Sequence, residues 1–219
     1  EASVEVVSLI GAGDIEPKES PPIHNIERWW SPKALDFLCR LQAAIDGTVS
    51  PGTDEATLLR VAFCRALIAC SNAAFNHQSM SFKDTAQIEL DIKPNYIELF
   101  RENVAFVING AAENPSGESR VILHDARELS TLRTEPFDLV VTSPPYANRM
   151  SYIRELRPYM YWLRFLMNGR DAGELDWLAI GGTWGVATSR LNDWKPEENA
   201  YTSDELESTL ARVASPDNK

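Results

Sequence analysis

Residues 137–146 have the sequence FDLVVTSPPY, in which a short apolar run leads into two consecutive prolines. Apart from Asp138, the run Phe137 to Val141 is apolar and rich in residues that favour strands, which is typical of a strand buried in a parallel sheet. Pro144 and Pro145 have fixed φ angles and no N–H, so they form a stiff turn with free carbonyl oxygens. Ligands of open α/β folds bind just outside the ends of such strands. The pattern therefore predicts a site at the end of a buried strand.

A second apolar run and several amphipathic stretches surround this strand. Val121 to Leu123 is the other β-rich run, and Ala126 to Leu132 between the two runs can form a short helix. Together they predict a compact βαβ unit. Apolar residues at helical spacing predict further helices upstream and downstream, at about 31–47, 58–74, 94–110, 152–166 with an interruption at Pro158, and 206–213 after a helix N-terminus at 202–205. The predicted fold class is therefore α/β, with a helical segment before the motif strands.

Composition fits one compact domain and excludes several other classes of protein. The 219 residues are 44% hydrophobic and 24% charged, which is ordinary for a chain with a real core. The sequence contains no run long and apolar enough to cross a membrane and no signal peptide, so we expect a cytoplasmic protein without a membrane partner. The three cysteines lack metal-ligand spacing, so we expect reduced core thiols and no metal site.

The charge is distributed unevenly along the chain. The net charge of -11 argues at first against an anionic partner such as DNA. Residues 143–170, however, contain five arginines and one glutamate, whereas the stretches before and after them are acidic. One short basic segment therefore begins at the two prolines.

The motif Thr142-Ser143-Pro144-Pro145-Tyr146, placed after an Asp-Leu-Val-Val strand, resembles the catalytic motif of amino-group DNA methyltransferases. These enzymes use S-adenosylmethionine to methylate exocyclic nitrogens of bases, and the Ser-Pro-Pro-Tyr form usually accompanies cytosine. The resemblance implies a Rossmann-like fold, incomplete in this chain. It also implies that the Ser143 hydroxyl and the Pro144 carbonyl accept hydrogen bonds from the target amine, while Tyr146 stacks on the flipped base.

The same resemblance suggests cofactor-binding and DNA-binding residues. Asp125 matches an acidic position that lies beside the adenine of the cofactor, and Ala126 and Thr142 would complete that site. Arginines after the motif would hold phosphates near an extruded base. The expected DNA-binding residues are Arg149, Arg154, Arg157 and Lys83. Ordinary structural roles remain open, because Asp125 can cap a helix and the arginines can form a solvated helix face.

One feature of the family is missing from the sequence. Complete members carry a cofactor loop of the type Asp-Pro-Phe-x-Gly-x-Gly, and the nearest candidate here, Gly11 to Asp14, lacks the Pro-Phe lead. We therefore expect a fragment, in which the loop comes from a missing N-terminal segment or a partner chain. The expected organisation is an irregular lead-in over 1–30, a catalytic region over 31–170, and an acidic region over 171–219 that begins a target-recognition segment.

The sequence leaves several functions open. The favoured one is cytosine-N4 methylation of DNA in a restriction-modification or related system. Adenine-N6 methylation, and methylation of RNA or of protein amides, remain alternatives, because Pro-Pro-Tyr turns recur in all of these enzymes. A non-catalytic DNA-binding or assembly module that lacks the cofactor loop is the alternative from another class. We expect Trp29, Trp30 and Trp162 to belong to the core rather than to stack on bases.

Overall fold

A computed structural model describes residues 1–74, 81–83, 95–113, 115–131, 135–143, 151–178 and 203–213. Helices dominate these ranges: α1 (Ala2–Ala12), α2 (Ile26–Trp29), α3 (Pro32–Thr48), α4 (Asp54–Ala69), α5 (Tyr96–Ala112), α6 (Tyr152–Trp162), α7 (Gly169–Leu178) and α8 (Asp204–Val213). Two strands, β1 (Ala73–Ala74) and β2 (Ser81–Phe82), pair antiparallel.

The helix boundaries follow from capping side chains that the sequence supplies. The hydroxyl of Ser31 accepts a hydrogen bond from the backbone N–H of Ala34 at 3.3 Å, and Pro32 occupies the first helical position of α3. Thr53 and Asn95 cap α4 and α5 in the same way. The predicted helices in these three regions are therefore confirmed, as is the one beginning near residue 204, where Ser203 caps α8.

The core forms around α3 and α4, with α1, α5 and the end of α6 packed on them. Trp30 is fully buried, and its indole N–H donates to the backbone carbonyl of Leu67 at 2.9 Å. Trp162 is also fully buried and meets the rings of Trp30 and Phe63 edge to face, with centroids 5.6 and 5.7 Å apart. The prediction that Trp30 and Trp162 are core residues is confirmed, and Trp29 is partly buried against the same core.

The start of the chain differs from the predicted irregular lead-in. Ala2–Ala12 is a regular helix, and Val6 and Val7 on it are buried in the main core. Gly13 ends the helix with φ at +77°, a left-handed conformation that glycine adopts without steric cost. Packing of its apolar residues against α3 and α5 stabilises this helix, although the glycines near its end do not favour one.

Helices α6 and α7 form a pair next to the main core. Pro158 lies inside α6 without ending it. The buried side chains of Tyr161, Leu166 and Ala172 pack between the two helices and the turn that joins them. The boundary predicted at residue 171 falls within α7, so the start of the acidic region belongs to this helix pair.

The predicted α/β, Rossmann-like methyltransferase fold is wrong for the described residues. Val121 to Leu123 and Phe137 to Val141 are not strands there, and only the six residues Ala126–Thr131 between them form a 3-10 helix. Val121, Leu123 and Val141 are 97%, 100% and 87% exposed. An apolar run becomes a buried strand only when neighbouring strands satisfy its backbone groups, and local sequence cannot supply those neighbours. Within the described ranges the pairing is confined to β1 and β2.

None of the helices in the described ranges is both long enough and apolar enough to span a lipid bilayer.

Candidate functional site

The Ser-Pro-Pro-Tyr motif is described only at its first residue. Thr142 and Ser143 are exposed and follow the exposed segment 137–141 without regular secondary structure. Pro144, Pro145 and Tyr146 lie outside the described residues. The Ser143 hydroxyl is therefore accessible, as an acceptor for an amine proton must be, but the geometry of the turn around it is not part of the described structure.

The residues expected to bind the cofactor do not form a cradle. Asp125, Ala126 and Thr142 are all exposed. Next to them, the ring of His124 joins the Asp125 carbonyl oxygen to the Thr131 hydroxyl, with Nδ1 and Nε2 distances of 2.9 Å each. This local arrangement spans the 3-10 helix. The three residues expected to bind the cofactor thus lie at the surface of the described structure.

A buried polar network that the sequence did not reveal holds the start of α6. The Asp176 carboxylate is only 7% exposed and accepts a 2.5 Å hydrogen bond from the Ser151 hydroxyl. The same hydroxyl caps α6 by accepting from the backbone N–H of Arg154 at 2.9 Å. The second Asp176 oxygen faces the guanidinium of Arg157 at 3.5 Å. The network therefore links Ser151, the first described residue after the motif, to helix α7.

The expected DNA-binding residues have different surroundings. Arg154 is exposed on α6, so it can meet a phosphate. Arg157, one turn away, already has the Asp176 carboxylate as its partner, which reduces its availability to DNA. Lys83 is half-buried, and its backbone N–H donates to the carbonyl of Asn72 at 2.8 Å beside the β hairpin. Arg149 lies outside the described residues. The structure brings Arg154 and Arg157 together and leaves Lys83 on a different element.

The cysteines are unsuited to nucleophilic or metal chemistry. Burial raises the pKa of the Cys39 and Cys64 thiols to about 11, and that of Cys70 to about 12. A thiol with such a raised pKa stays protonated at neutral pH, and the protonated thiol is a poor nucleophile and metal ligand. The predicted assignment of Cys39 to the core is confirmed. Across the described ranges, no three His, Cys, Asp or Glu side chains gather in a way that could hold a metal ion.

No protein-family model, no curated protein and no solved structure matches this chain. The likeness to amino-group DNA methyltransferases therefore depends on the motif residues and their neighbours in the sequence.

Proposed function

We propose that this chain contributes the catalytic motif of a site-specific DNA methyltransferase that transfers a methyl group from S-adenosylmethionine to the exocyclic N4 of a flipped cytosine. The observation that carries the proposal is the sequence Thr142 to Tyr146 directly after an apolar Asp-Leu-Val-Val run. The accessible position of Ser143 supports it, because a group that captures an extruded base must be reachable from solvent.

The residue types in the motif suit an aromatic amine. The lone pair of such an amine is delocalised into the ring, so the nitrogen is a weak nucleophile until hydrogen-bond acceptors on its N–H groups restore its pyramidal geometry. The Ser143 hydroxyl and the Pro144 carbonyl are such acceptors, and the stiffness imposed by Pro145 keeps them oriented. The ring of Tyr146 offers a flat surface on which the base stacks. When bound, S-adenosylmethionine supplies an electrophilic methyl group.

DNA is the proposed partner, and the cytoplasm is the proposed location. The basic segment over 143–170 supports the partner, since phosphate contacts from arginine provide most of the affinity of proteins for DNA. Arg154 is the strongest candidate for such a contact among the described arginines of this segment, because it is exposed and lies three residues after the α6 cap. Arg149 and Lys83 are proposed to assist it.

The exposed cofactor residues favour a second candidate function. Asp125, Ala126 and Thr142 are exposed in the described structure, and the sequence lacks an Asp-Pro-Phe-x-Gly-x-Gly loop. A chain of this kind can act as a DNA-binding or assembly module, with the cofactor loop supplied by another segment or a partner chain. Adenine-N6 methylation remains the alternative within the enzyme class, and the identity of the methylated nucleoside distinguishes the two.

Methyl transfer and cofactor binding separate these candidates. The chain is incubated with duplex DNA and S-adenosylmethionine labelled in its methyl group, and the digested DNA is analysed for N4-methylcytosine and N6-methyladenine. We expect N4-methylcytosine, severe loss of product in Ser143→Ala, and weakened base capture in Tyr146→Ala. Ser116→Ala is the matched control, because Ser116 is another exposed serine of the described segment 115–131.

Two outcomes of these experiments would contradict the proposed enzyme. Unchanged transfer in both Ser143→Ala and Tyr146→Ala would refute the catalytic roles. Calorimetry that detects no heat of S-adenosylmethionine binding to the folded chain, together with measurable DNA binding, would support the non-catalytic module and refute an autonomous enzyme.

A further inference from the structure

A cavity of about 360 Å³ opens between α3, α4 and the turn that follows α6. Its volume lies within the range of natural small-molecule sites, roughly 300–1,000 Å³. Apolar side chains form much of its wall, namely Ile45, Phe63, Leu163 and Phe165. The polar residue Gln42 and the charged residues Asp46, Arg60 and Arg164 complete it. The cavity therefore combines an apolar wall with groups that can bind a charged ligand.

Two arginines and one aspartate are the charged residues that line this cavity. The Asp46 carboxylate is contacted by two cations, Lys18 at 2.5 Å and Arg60 at 3.5 Å, so its negative charge is compensated. The guanidinium of Arg164 donates to the backbone carbonyl of Glu19 at 2.6 Å, and that partner carries no charge. A ligand with an anionic group would thus meet two arginines whose combined charge Asp46 cannot balance.

The backbone of Arg164 is held in a conformation that favours glycine. Its φ angle is +63°, directly after the last turn of α6, at the position where helices commonly place glycine. The backbone N–H of Phe165 closes the turn on the carbonyl of Met160 at 2.8 Å. Arginine adopts this conformation less readily than glycine does, but unlike glycine it places a charged residue in the wall of the cavity. A backbone conformation of this kind is found more often at functional sites than elsewhere, which is consistent with a binding role for Arg164.

The turn that carries Arg164 is fixed to the main core. The side-chain amide of Gln42 on α3 donates to the backbone carbonyl of Trp162 at 2.6 Å. Trp162 itself is fully buried against Phe63. Because both anchors belong to the core, the cavity wall formed by 163–165 is held in place before a ligand arrives, which lowers the entropic cost of binding.

We propose that this cavity binds a nucleoside monophosphate, with the phosphate between Arg60 and Arg164 and the base against the apolar wall. A phosphate monoester carries nearly two negative charges at neutral pH, which matches two arginines better than a carboxylate does. Arginine also binds phosphate oxygens through two parallel N–H groups. The inference is independent of the proposed methyl transfer, because it needs neither the motif nor S-adenosylmethionine.

Calorimetry with dCMP on the full chain tests this inference. We expect saturable binding that Arg164→Gly weakens about tenfold or more, the loss expected when one charge-assisted hydrogen-bond partner is removed. Glycine adopts the left-handed conformation freely, which offsets the lost hydrogen bond to the Glu19 carbonyl, so the melting temperature of Arg164→Gly should stay close to that of the parent chain. Arg170→Ala is the matched control, because Arg170 is 86% exposed and lies outside the cavity wall. It should leave dCMP binding unchanged.

Two ligand controls and a second variant complete the experiment. Deoxycytidine and inorganic phosphate should each bind about tenfold or more weakly than dCMP, since each lacks half of the proposed contacts. Arg60→Met should also weaken dCMP binding. If Arg164→Gly proves less stable than the parent chain, the Arg60→Met result alone tests whether the cavity arginines bind dCMP. The inference is overturned if dCMP does not bind, if inorganic phosphate binds as tightly as dCMP, or if Arg60→Met leaves binding unchanged. None of these results depends on methyl-transfer activity.

Discussion

Helix α4 and the segment 137–141 are both rich in apolar residues, yet their side chains differ greatly in solvent exposure. Leu59, Phe63 and Leu67 on α4 are at most 5% exposed, because α3 and α5 lie on either side of that helix. In the other segment, Leu139 and Val141 are 78% and 87% exposed. The two stretches differ in their neighbours and hardly in their composition.

The difference shows what an apolar run needs in order to be buried. A helix satisfies its own backbone hydrogen bonds, so α4 requires only side-chain neighbours, which nearby helices provide. A strand needs neighbouring strands for its backbone groups as well. The motif of the proposed enzyme follows the exposed run, so the proposed chemistry and the stable core belong to different regions of this chain.

The largest contrast between the two regions is expected from truncating their side chains. Trp30→Ala should reduce the free energy of unfolding by about 3–5 kcal/mol, since it leaves a large cavity and an unpaired carbonyl at Leu67. Leu139→Ala, in the exposed segment, should change it by no more than about 0.5 kcal/mol. Urea denaturation monitored by circular dichroism measures both. A large loss in Leu139→Ala would show that this segment is packed after all.

Thiol reactivity gives the next largest contrast. The native cysteines should react slowly with an alkylating reagent at pH 8, because burial raises the pKa of Cys70 to about 12 and that of Cys39 to about 11. A cysteine introduced by Val141→Cys in the exposed segment should have an ordinary pKa and react about 100-fold faster or more. Mass spectrometry of the alkylated peptides measures each rate. Equal rates at position 141 and at Cys70 would remove the distinction between the regions.

A smaller effect is expected at the junction between the regions. Asp176→Ala should reduce the free energy of unfolding by about 2 kcal/mol, since it leaves Arg157 without its ion-pair partner and Ser151 without its acceptor. Glu174→Ala on the same helix is the control, because its 3.7 Å ion pair with Arg170 is solvent-exposed. We expect that variant to lose less than about 0.5 kcal/mol. Similar losses in the two variants would contradict a structural role for the buried network.

Local sequence was sufficient to predict the helices that end on strong caps. Ser31-Pro32 and Ser203 mark helix starts through side-chain hydrogen bonds that involve residues only three positions apart. The fully buried tryptophans were also predictable, since the large apolar ring of tryptophan is usually buried. These features are local, or depend on burial alone, so one sequence contains the information needed.

The features that were predicted wrongly, or were not predicted at all, depend on contacts between residues far apart in the sequence. The fold class failed because strand formation at 121–123 and 137–141 depends on pairing partners that local patterns do not specify. The Asp176 network joins residues 25 positions apart, and its one sequence signal is a carboxylate between Leu175 and Trp177 on the α7 helix. The cavity beside Arg164 likewise combines three separate elements, and no local pattern indicates it.

Amide hydrogen exchange tests the central contrast most directly. The backbone amides of α3 and α4 should be protected to near the free energy of global unfolding, whereas those of Val121 to Leu123 and Leu139 to Val141 should exchange close to the rate of an unstructured peptide. The measurement uses the whole chain and resolves both regions in a single experiment. Protection over 121–123 and 137–141 equal to that of α4 would contradict the account, because it would require these residues to form paired strands.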